Sequence, residues 1–503
     1  MAINYKLLPV KAHFFFFMAG MGPVLPFLPV FGKQLGISEV VMGIITSILP
    51  IMFLLAKPVF GYAFDLFRGA RKALFLALLM STTVFFVLLT SLPLPAESET
   101  RCNGYLVCQN QTSLLNLTTC QDVCSGSENS STCENLFPEC KQSCNFTCLP
   151  VSPSVDHGDN TQFYKGMIFW LYVIFMSLGS IGFNVINSIS DTICFDVLGD
   201  GQEKKYGKQR VWGTIGFGIF ALLGGYAVDV YSGDSGIKDY TPAFSIALVC
   251  MICDVICCFT LKLPPLPRSE NIVKDMVELS KHPHIAVFLA FTVLVGICDS
   301  FIIYYLFWFL EDLAIEHNYT ENIKLLEGIT IAAETLGAEV IFFIFSGKIL
   351  ARIGYGYCLS LCFFAYGMRL GLLSLLSNPW WVIPIELAMQ GPTYALTYTT
   401  IVAYASAISP PGTSATTQGI VAGLDDGLGY ALGSLSGGFL YRWLKGNNTL
   451  RVYSALAFVC SLAHTVLYLM FRHPSQAATT KPKGVEVEYK SPELAKETTV
   501  SAS

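Results

Sequence analysis

The sequence predicts an all-α, polytopic membrane protein. Twelve transmembrane helices are expected, arranged as two six-helix pseudo-repeats with a disulfide-rich extracellular loop. Three observations carry this expectation. The 503 residues are 53% hydrophobic and only 13% charged, whereas soluble proteins carry roughly a quarter charged residues. Apolar runs of about 20 residues, enough to cross a bilayer as a helix, recur along the whole chain. Eight of the 17 cysteines crowd into one polar stretch. This composition excludes a single soluble globular domain, and it excludes disorder over most of the chain. The net charge of −5 gives nucleic-acid binding no electrostatic support.

Taken in order, the predicted spans cover 10–31, 40–63, 73–93, 164–190, 210–230 and 243–262 in the first half. In the second half they cover 285–310, 326–347, 355–376, 380–405, 417–440 and 452–471. The expected organisation is an N-terminal six-helix bundle over 1–263 and a C-terminal six-helix bundle over 284–471. A polar cytoplasmic linker, 264–283, joins them, and a disordered cytoplasmic tail, 472–503, follows. Lys6 and Lys11 precede the first span, but the apolar run continues through Pro23, Pro26 and Pro29 with no small-residue cleavage site, so it is not a cleaved signal peptide. The three prolines should bend the second half of that span.

The segment 94–163 holds Cys102, Cys108, Cys120, Cys124, Cys133, Cys140, Cys144 and Cys148. An even count at this density reads as four disulfides in an oxidising compartment, with connectivity left open. Zinc fits the segment poorly, because His157 is the only nearby histidine and no paired CxxC spacing occurs. Cys250, Cys253, Cys257 and Cys258 have helical spacing but lie in an apolar run, where free cysteine behaves as a small apolar residue. No metal and no cofactor is expected. Asn110, Asn116, Asn129, Asn145, Asn318 and Asn447 each begin a glycosylation triplet. With both termini cytoplasmic, all six fall outside, as does the Cys-rich segment. The inner loops and tail then hold 20 of the 31 Lys and Arg, as the positive-inside rule requires.

The halves repeat one another. Span 5 contains Gly216, Gly224, Gly225 and Tyr226, and span 11 contains Gly429, Gly437, Gly438 and Phe439 at identical offsets. Glycine at such spacing lets helices approach closely in lipid. After span 2 stand Gly61, Asp65, Gly69, Arg71 and Lys72; the second half echoes this with Gly347, Ala351, Arg352 and Gly354. Repeated halves are a mark of secondary transporters. The Gly61-x3-Asp65 segment with Arg71-Lys72 resembles the loop 2–3 signature of the major facilitator superfamily, with Ala351 replacing the acid in the second copy. In that superfamily the acid and the basic residues are implied to latch the cytoplasmic face. The stretch 206–218 resembles span 5 of the lactose-permease and nucleoside-symporter branch. His13-Phe-Phe-Phe-Phe, Leu25-Pro-Phe-Leu-Pro-Val and 379–439 are similar to the major facilitator superfamily domain-containing protein 6 family. The resemblance implies the major facilitator fold, and it places a substrate-binding arginine at Arg210 and its carboxylate within one residue of Asp191.

Ionisable side chains within spans are functional candidates because they are costly there unless paired or hydrated. At about 1.5 Å per residue, Arg369 in span 9 and Glu386 in span 10 lie at one depth, which predicts an intramembrane ion pair. The pair serves helix packing or solute contact equally well. Asp191 and Arg210 flank the loop between spans 4 and 5, at the cytoplasmic membrane edge. Asp299, Glu334, Glu339, Asp425 and Asp426 are the unpaired acids of the second half and the candidates for proton coupling. On a regular helix Glu334 and Glu339 diverge by about 140° and should not face one cavity together. Asp426 shares a face with Gly419 and Gly423, while Asp425 points away.

These observations favour a secondary transporter of a small organic solute, working by proton-coupled alternating access. It is expected to be a plasma-membrane monomer with the lipid bilayer as its surroundings. No GxxxxGK[ST] motif supports an ATP-driven pump, and no HExxH or nucleophile elbow supports an enzyme. The competing reading is a receptor or adhesion protein on a transporter-like scaffold, binding an extracellular protein through the Cys-rich loop.

Overall fold

The computed structural model describes residues 6–37, 39–93, 102–108, 111–117, 166–199, 201–232, 239–265, 269, 271–317 and 323–471. Each long apolar run satisfies its own backbone as a helix, as a lone segment in lipid must. The first half contains α1 (Leu8–Met21), α2 (Leu28–Gln34), α3 (Glu39–Leu66), α4 (Arg71–Leu88), α5 (Met167–Leu198), α6 (Gly207–Ser232) and α7 (Thr241–Thr260). After α8 (Ile272–Ser280) come α9 (Pro283–Glu316), α10 (Ile323–Ala333), α11 (Val340–Ile353), α12 (Tyr355–Leu373) and α13 (Val382–Gln390). The last are α14 (Leu396–Ile408), α15 (Ser414–Ala422) and α16 (Tyr430–Phe471). Within the Cys-rich segment, β1 (Cys102–Cys108) and β2 (Gln111–Leu117) form an antiparallel hairpin that pairs Cys102 with Leu117 and Cys108 with Gln111.

Among the described residues ten helices are long and apolar enough to cross a membrane, against twelve predicted. Two local features account for the difference. The tenth predicted span is split into α13, a π-helical turn at Gly391–Ala395 and α14. The eleventh and twelfth run together over Ser414–Phe471, where helical geometry resumes on both sides of Lys445 at φ 62°. The chain is a multi-pass membrane protein whose described apolar segments are helical. The proline-rich end of the first span breaks as expected: α1 stops at Met21, a 3₁₀ turn covers Leu25–Phe27, and α2 continues beyond it. Within the predicted polar linker Ile272–Ser280 forms α8, whose start is capped by the Asn271 side chain accepting the N–H of Lys274 at 3.1 Å.

One cluster of buried apolar side chains is built mainly on α1–α7 and a second on α9–α16. The matched glycines serve matched purposes. A Cβ at Gly216 or Gly224 would strike Phe15 or Pro23 of the first span, and one at Gly429 or Gly437 would strike Val293 or Tyr305 of α9. Spans 5 and 11 thus lie closely on the first helix of their own half. The halves meet along α3 and α15, where Gly61 abuts Ala415 and Gly419 abuts Lys57, and along α6 and α11, where Gly207 abuts Phe343.

The side chains of Cys102, Cys108, Cys120, Cys124, Cys133, Cys140, Cys144 and Cys148 lie outside the described residues, as do Asn110, Asn129, Asn145, Asn318 and the tail. Asn116 contributes only its backbone, in β2. Asn447 lies in α16, half-buried, and its buried Oδ1 has no hydrogen-bond partner.

Candidate functional site

α5 continues eight residues past the predicted end of span 4, which changes the setting of Asp191. It lies inside the helix, seven residues before its end, and is 1% exposed. Its carboxylate is held by two phenols: Tyr206 donates to Oδ1 and Tyr398 to Oδ2, each at 2.6 Å. Two hydroxyl donors compensate the lost hydration, so the helix can extend around a buried acid. Tyr398 belongs to α14 of the other half and also receives the Asn187 side-chain amide at 3.1 Å. Arg210, one turn into α6, is 5% exposed. Its guanidinium carbon lies 5.6 Å from the Phe14 ring centre, 5.6 Å from Tyr398 and 5.9 Å from Phe343. Cation–π contact accounts for part of its burial, yet its buried Nε has no hydrogen-bond partner. The carboxylate of Asp191 accepts the two phenols and keeps lone pairs for other donors, while Arg210 Nε donates to nothing. The seam between the halves therefore holds an aromatic-walled arginine with donor capacity to spare.

A second cluster lies within the second half. Arg369 Nε donates to Glu386 Oε1 at 3.1 Å, and Nη2 donates to Glu386 Oε2. Nη1 donates to Thr393 Oγ1 at 2.7 Å, and Glu334 Oε1 stands 3.5 Å from Nη2. The sequence brings out the Arg369–Glu386 pair but not its enlargement by Glu334 and Thr393. Both additions come from π-helical turns, at Glu334–Glu339 and Gly391–Ala395. Glu334 reaches Arg369 within the second half, while Glu339 accepts from Thr214 of α6 at 2.8 Å, so the two acids serve different neighbours.

The remaining candidates gather on α9 and a third π-helical turn, Gly423–Gly429. Asp299 is 6% exposed and accepts from Tyr366 at 2.8 Å and from Tyr430 at 2.5 Å. Asp426 pairs with Lys57 of α3, joining the halves a second time. Asp425 leaves a buried Oδ1 without a partner. Among the described residues Glu334 and Asp426 contact a cation, whereas Asp299 accepts from two phenols, Glu339 from the Thr214 hydroxyl and the Gln390 amide, and Asp425 forms no ion pair.

The loop 2–3 residues meet at one end of the bundle. Asp65 accepts from the backbone N–H groups of Ala415, at 3.2 Å, and Thr416, at 2.7 Å, and so caps α15 across the seam. Arg71 Nη2 donates to Asp196 at 2.6 Å, and Ser414 Oγ donates to the same carboxylate at 3.3 Å. Lys72 donates to the carbonyls of Phe259, at 2.6 Å, and Leu261, at 3.0 Å, at the end of α7. Gly69 faces open space.

Sequence reasoning missed one buried group altogether. His13 of α1 contacts Asp254 at 2.8 Å, Ser190 at 2.7 Å and Cys258 at 3.4 Å. The available signal was Asp254 itself, a lone acid in the apolar run 241–260 of the first half.

A family profile described as MFS_1 like family matches residues 7–453. The fold is similar to that of the human organic anion transporter MFSD10 (TETRAN), with TM-score 0.60 and 13% identity over 92% of this chain and 100% of that one. It is also similar to the E. coli fucose:proton symporter FucP, with TM-score 0.58 and 11% identity over 93% and 99%. The nucleoside transporter NupG aligns with TM-score 0.55 and 14% identity over 93% and 99%. The chain belongs to the MFS_1 like family, within the major facilitator superfamily.

Proposed function

We propose that the protein is a secondary active transporter that moves a small polar organic solute by proton-coupled alternating access. The observation that carries this reading is Arg210, buried at the seam of the halves among Phe14, Phe343 and Tyr398, with a buried Nε that nothing satisfies. A cation so placed selects a solute with an anionic or acceptor-rich group, and the rings offer faces for a flat or apolar part. Asp191, with Tyr206 and Tyr398, lies beside it as an acceptor for solute hydroxyls. The names of the structural neighbours, which cover a nucleoside, an organic anion and a sugar with protons, fall within this chemistry.

Proton coupling falls to the acids that lack a cation. Asp299 is the first candidate, with Glu339 and Asp425 beside it, because a carboxyl group without a counter-charge in a dry site can hold a proton at neutral pH. Twelve crossings fit this mechanism. Ser414–Phe471 would be roughly 87 Å long as one straight helix, nearly three times the hydrocarbon thickness of about 30 Å. The Lys445 break divides it, and Pro379–Ile408 supplies the other crossing. In this orientation both termini are cytoplasmic, and the glycosylated, disulfide-linked loop faces outward at the plasma membrane. Within the superfamily we assign the chain to the domain-containing protein 6 type on the sequence resemblance given above.

The test is uptake into proteoliposomes of nucleosides, monosaccharides and organic anions, with and without an inward proton gradient. The expected result is gradient-stimulated uptake of one class, abolished by Arg210→Ala. Gradient-independent leakage of all three classes, unaffected by Arg210→Ala, would overturn the reading.

A further inference from the structure

We propose that His13, Asp254 and Cys258 form a buried binding site for one divalent metal ion of the zinc type. Asp254 and Cys258 are four residues apart on α7 and so share a face. α1 brings His13 against that face. His13 Nδ1 is 2.8 Å from Asp254 Oδ1 and 3.4 Å from Cys258 Sγ, and Sγ is 3.6 Å from the same carboxylate oxygen. Nitrogen, oxygen and sulfur ligands held tetrahedrally at the usual zinc bond lengths stand roughly 3.3–3.8 Å apart. Two of the three separations already suit an ion. The third opens by roughly half an ångström on binding.

One hydrogen-bond assignment leaves the His13–Asp254 contact open to a cation. Ser190 Oγ donates its one hydrogen to Ile186 O at 2.6 Å. It must therefore accept from His13 Nε2, 2.7 Å away. In a neutral imidazole that leaves a lone pair on Nδ1, and this lone pair faces a carboxylate oxygen. Either a proton or a metal ion lies between them. Cys258 favours the metal by adding a soft donor that converges on the same point; as a thiol it donates to Asp254 Oδ1, and as a thiolate it would join the ion. Asp254 Oδ2 is also buried without any partner, so the set has a fourth donor atom available.

The surroundings match. His13 and Cys258 are 1% exposed and Asp254 is fully buried. The rings of Phe14, Phe17 and Phe75 pack around the imidazole with centroids 5.8, 5.5 and 5.2 Å away, giving a dry apolar wall. A divalent ion with one thiolate, one carboxylate and one neutral imidazole is neutral overall, the condition for a site out of water. The Ser190 hydrogen bond to the remote imidazole nitrogen is the orienting contact that metal-bound histidines have. Of the four cysteines in this run, Cys258 alone is within contact distance of both His13 and Asp254.

The full-length protein, purified in detergent, is analysed for metals by mass spectrometry, then stripped with chelator and titrated with Co²⁺. The expected result is close to one equivalent of zinc in the purified protein. The cobalt form should show a thiolate-to-metal absorption band that Cys258→Ser removes and Cys250→Ser and Cys257→Ser retain. Zn²⁺ should raise the melting temperature of stripped wild type but not of His13→Gln. Cys258→Ser keeps size and shape, so the spectroscopic arm stands even where His13→Gln fails to fold. A zinc-free preparation whose stripped form gives no cobalt band, or a band that survives Cys258→Ser, would overturn the site and leave a His–Asp pair sharing a proton.

Discussion

The carboxylate of Asp65 in α3 accepts the backbone N–H of Thr416 in α15 at 2.7 Å, across the seam between the halves. The first-turn N–H groups of a helix need outside partners, and α15 obtains its partner from a residue 351 positions earlier. The acid at the end of span 2 is thus a cap whose helix lies in the other half. Separating the halves at this end must break it.

Asp65→Ala should loosen this end without unfolding either half. Loss of a cap costs typically about 1 kcal/mol and up to about 2, which is a factor of roughly 5–30 in an opening equilibrium. Hydrogen exchange followed by mass spectrometry should show that acceleration in peptides covering 413–422. Unchanged protection there would mean that the cap does not hold the seam.

Arg369→Ala should be the most damaging single change in the second half. Glu386 would be left buried and unpaired, at a cost of roughly 3–5 kcal/mol, and Glu334 would lose its cation too. The double change Arg369→Met, Glu386→Gln should be milder, because Glu334 is partly exposed and can reach water. Melting curves in detergent check the order. Equal melting temperatures for Arg369→Ala and wild type would dismiss the pair as a stability element.

Asp299→Asn should abolish gradient-driven accumulation while sparing solute exchange. The amide keeps the size of the acid but cannot exchange a proton. Paired uptake and counterflow assays separate the two activities. If accumulation survives in Asp299→Asn and fails in Glu339→Gln or Asp425→Asn, coupling belongs to that acid. If none of the three matters, proton coupling fails and the receptor reading gains.

Lys57→Ala should impair transport and stability together, since it strands Asp426 beside Asp425. The exchanged pair Lys57→Asp, Asp426→Lys should recover part of the loss. Surface delivery and uptake of the three variants check this, and an exchange no better than either single change would argue against direct pairing.

Much of this was open to sequence reasoning, and the remainder was closed for definite reasons. Depth along two adjacent spans was enough to match Arg369 with Glu386. Identical offsets were enough to relate Gly216 and Gly224 to Gly429 and Gly437. The phenol cage of Asp191 was not legible because its donor Tyr398 is 207 residues away, and no local pattern announces such a partner. The different neighbours of Glu334 and Glu339 were closed to sequence reasoning because Arg369 and Thr214 approach from distant parts of the chain. Asp254 was overlooked although a lone acid in an apolar run invites the same suspicion as those of the second half.

The π-helical turn at Gly423–Gly429 has a bearing on how this sequence can vary. Such a turn holds one residue more than the α-helical path between the same two ends. Deleting a residue there would restore a regular helix and leave every side chain chemically intact. It would leave Gly433 and Gly437 in place against Ser300 and Tyr305 of α9, and displace only the residues of the turn itself, Asp425 and Asp426 among them. In this stretch the length of the chain itself sets where Asp425 and Asp426 point, and a one-residue gap would re-aim both while the packing beyond the turn stayed as it is.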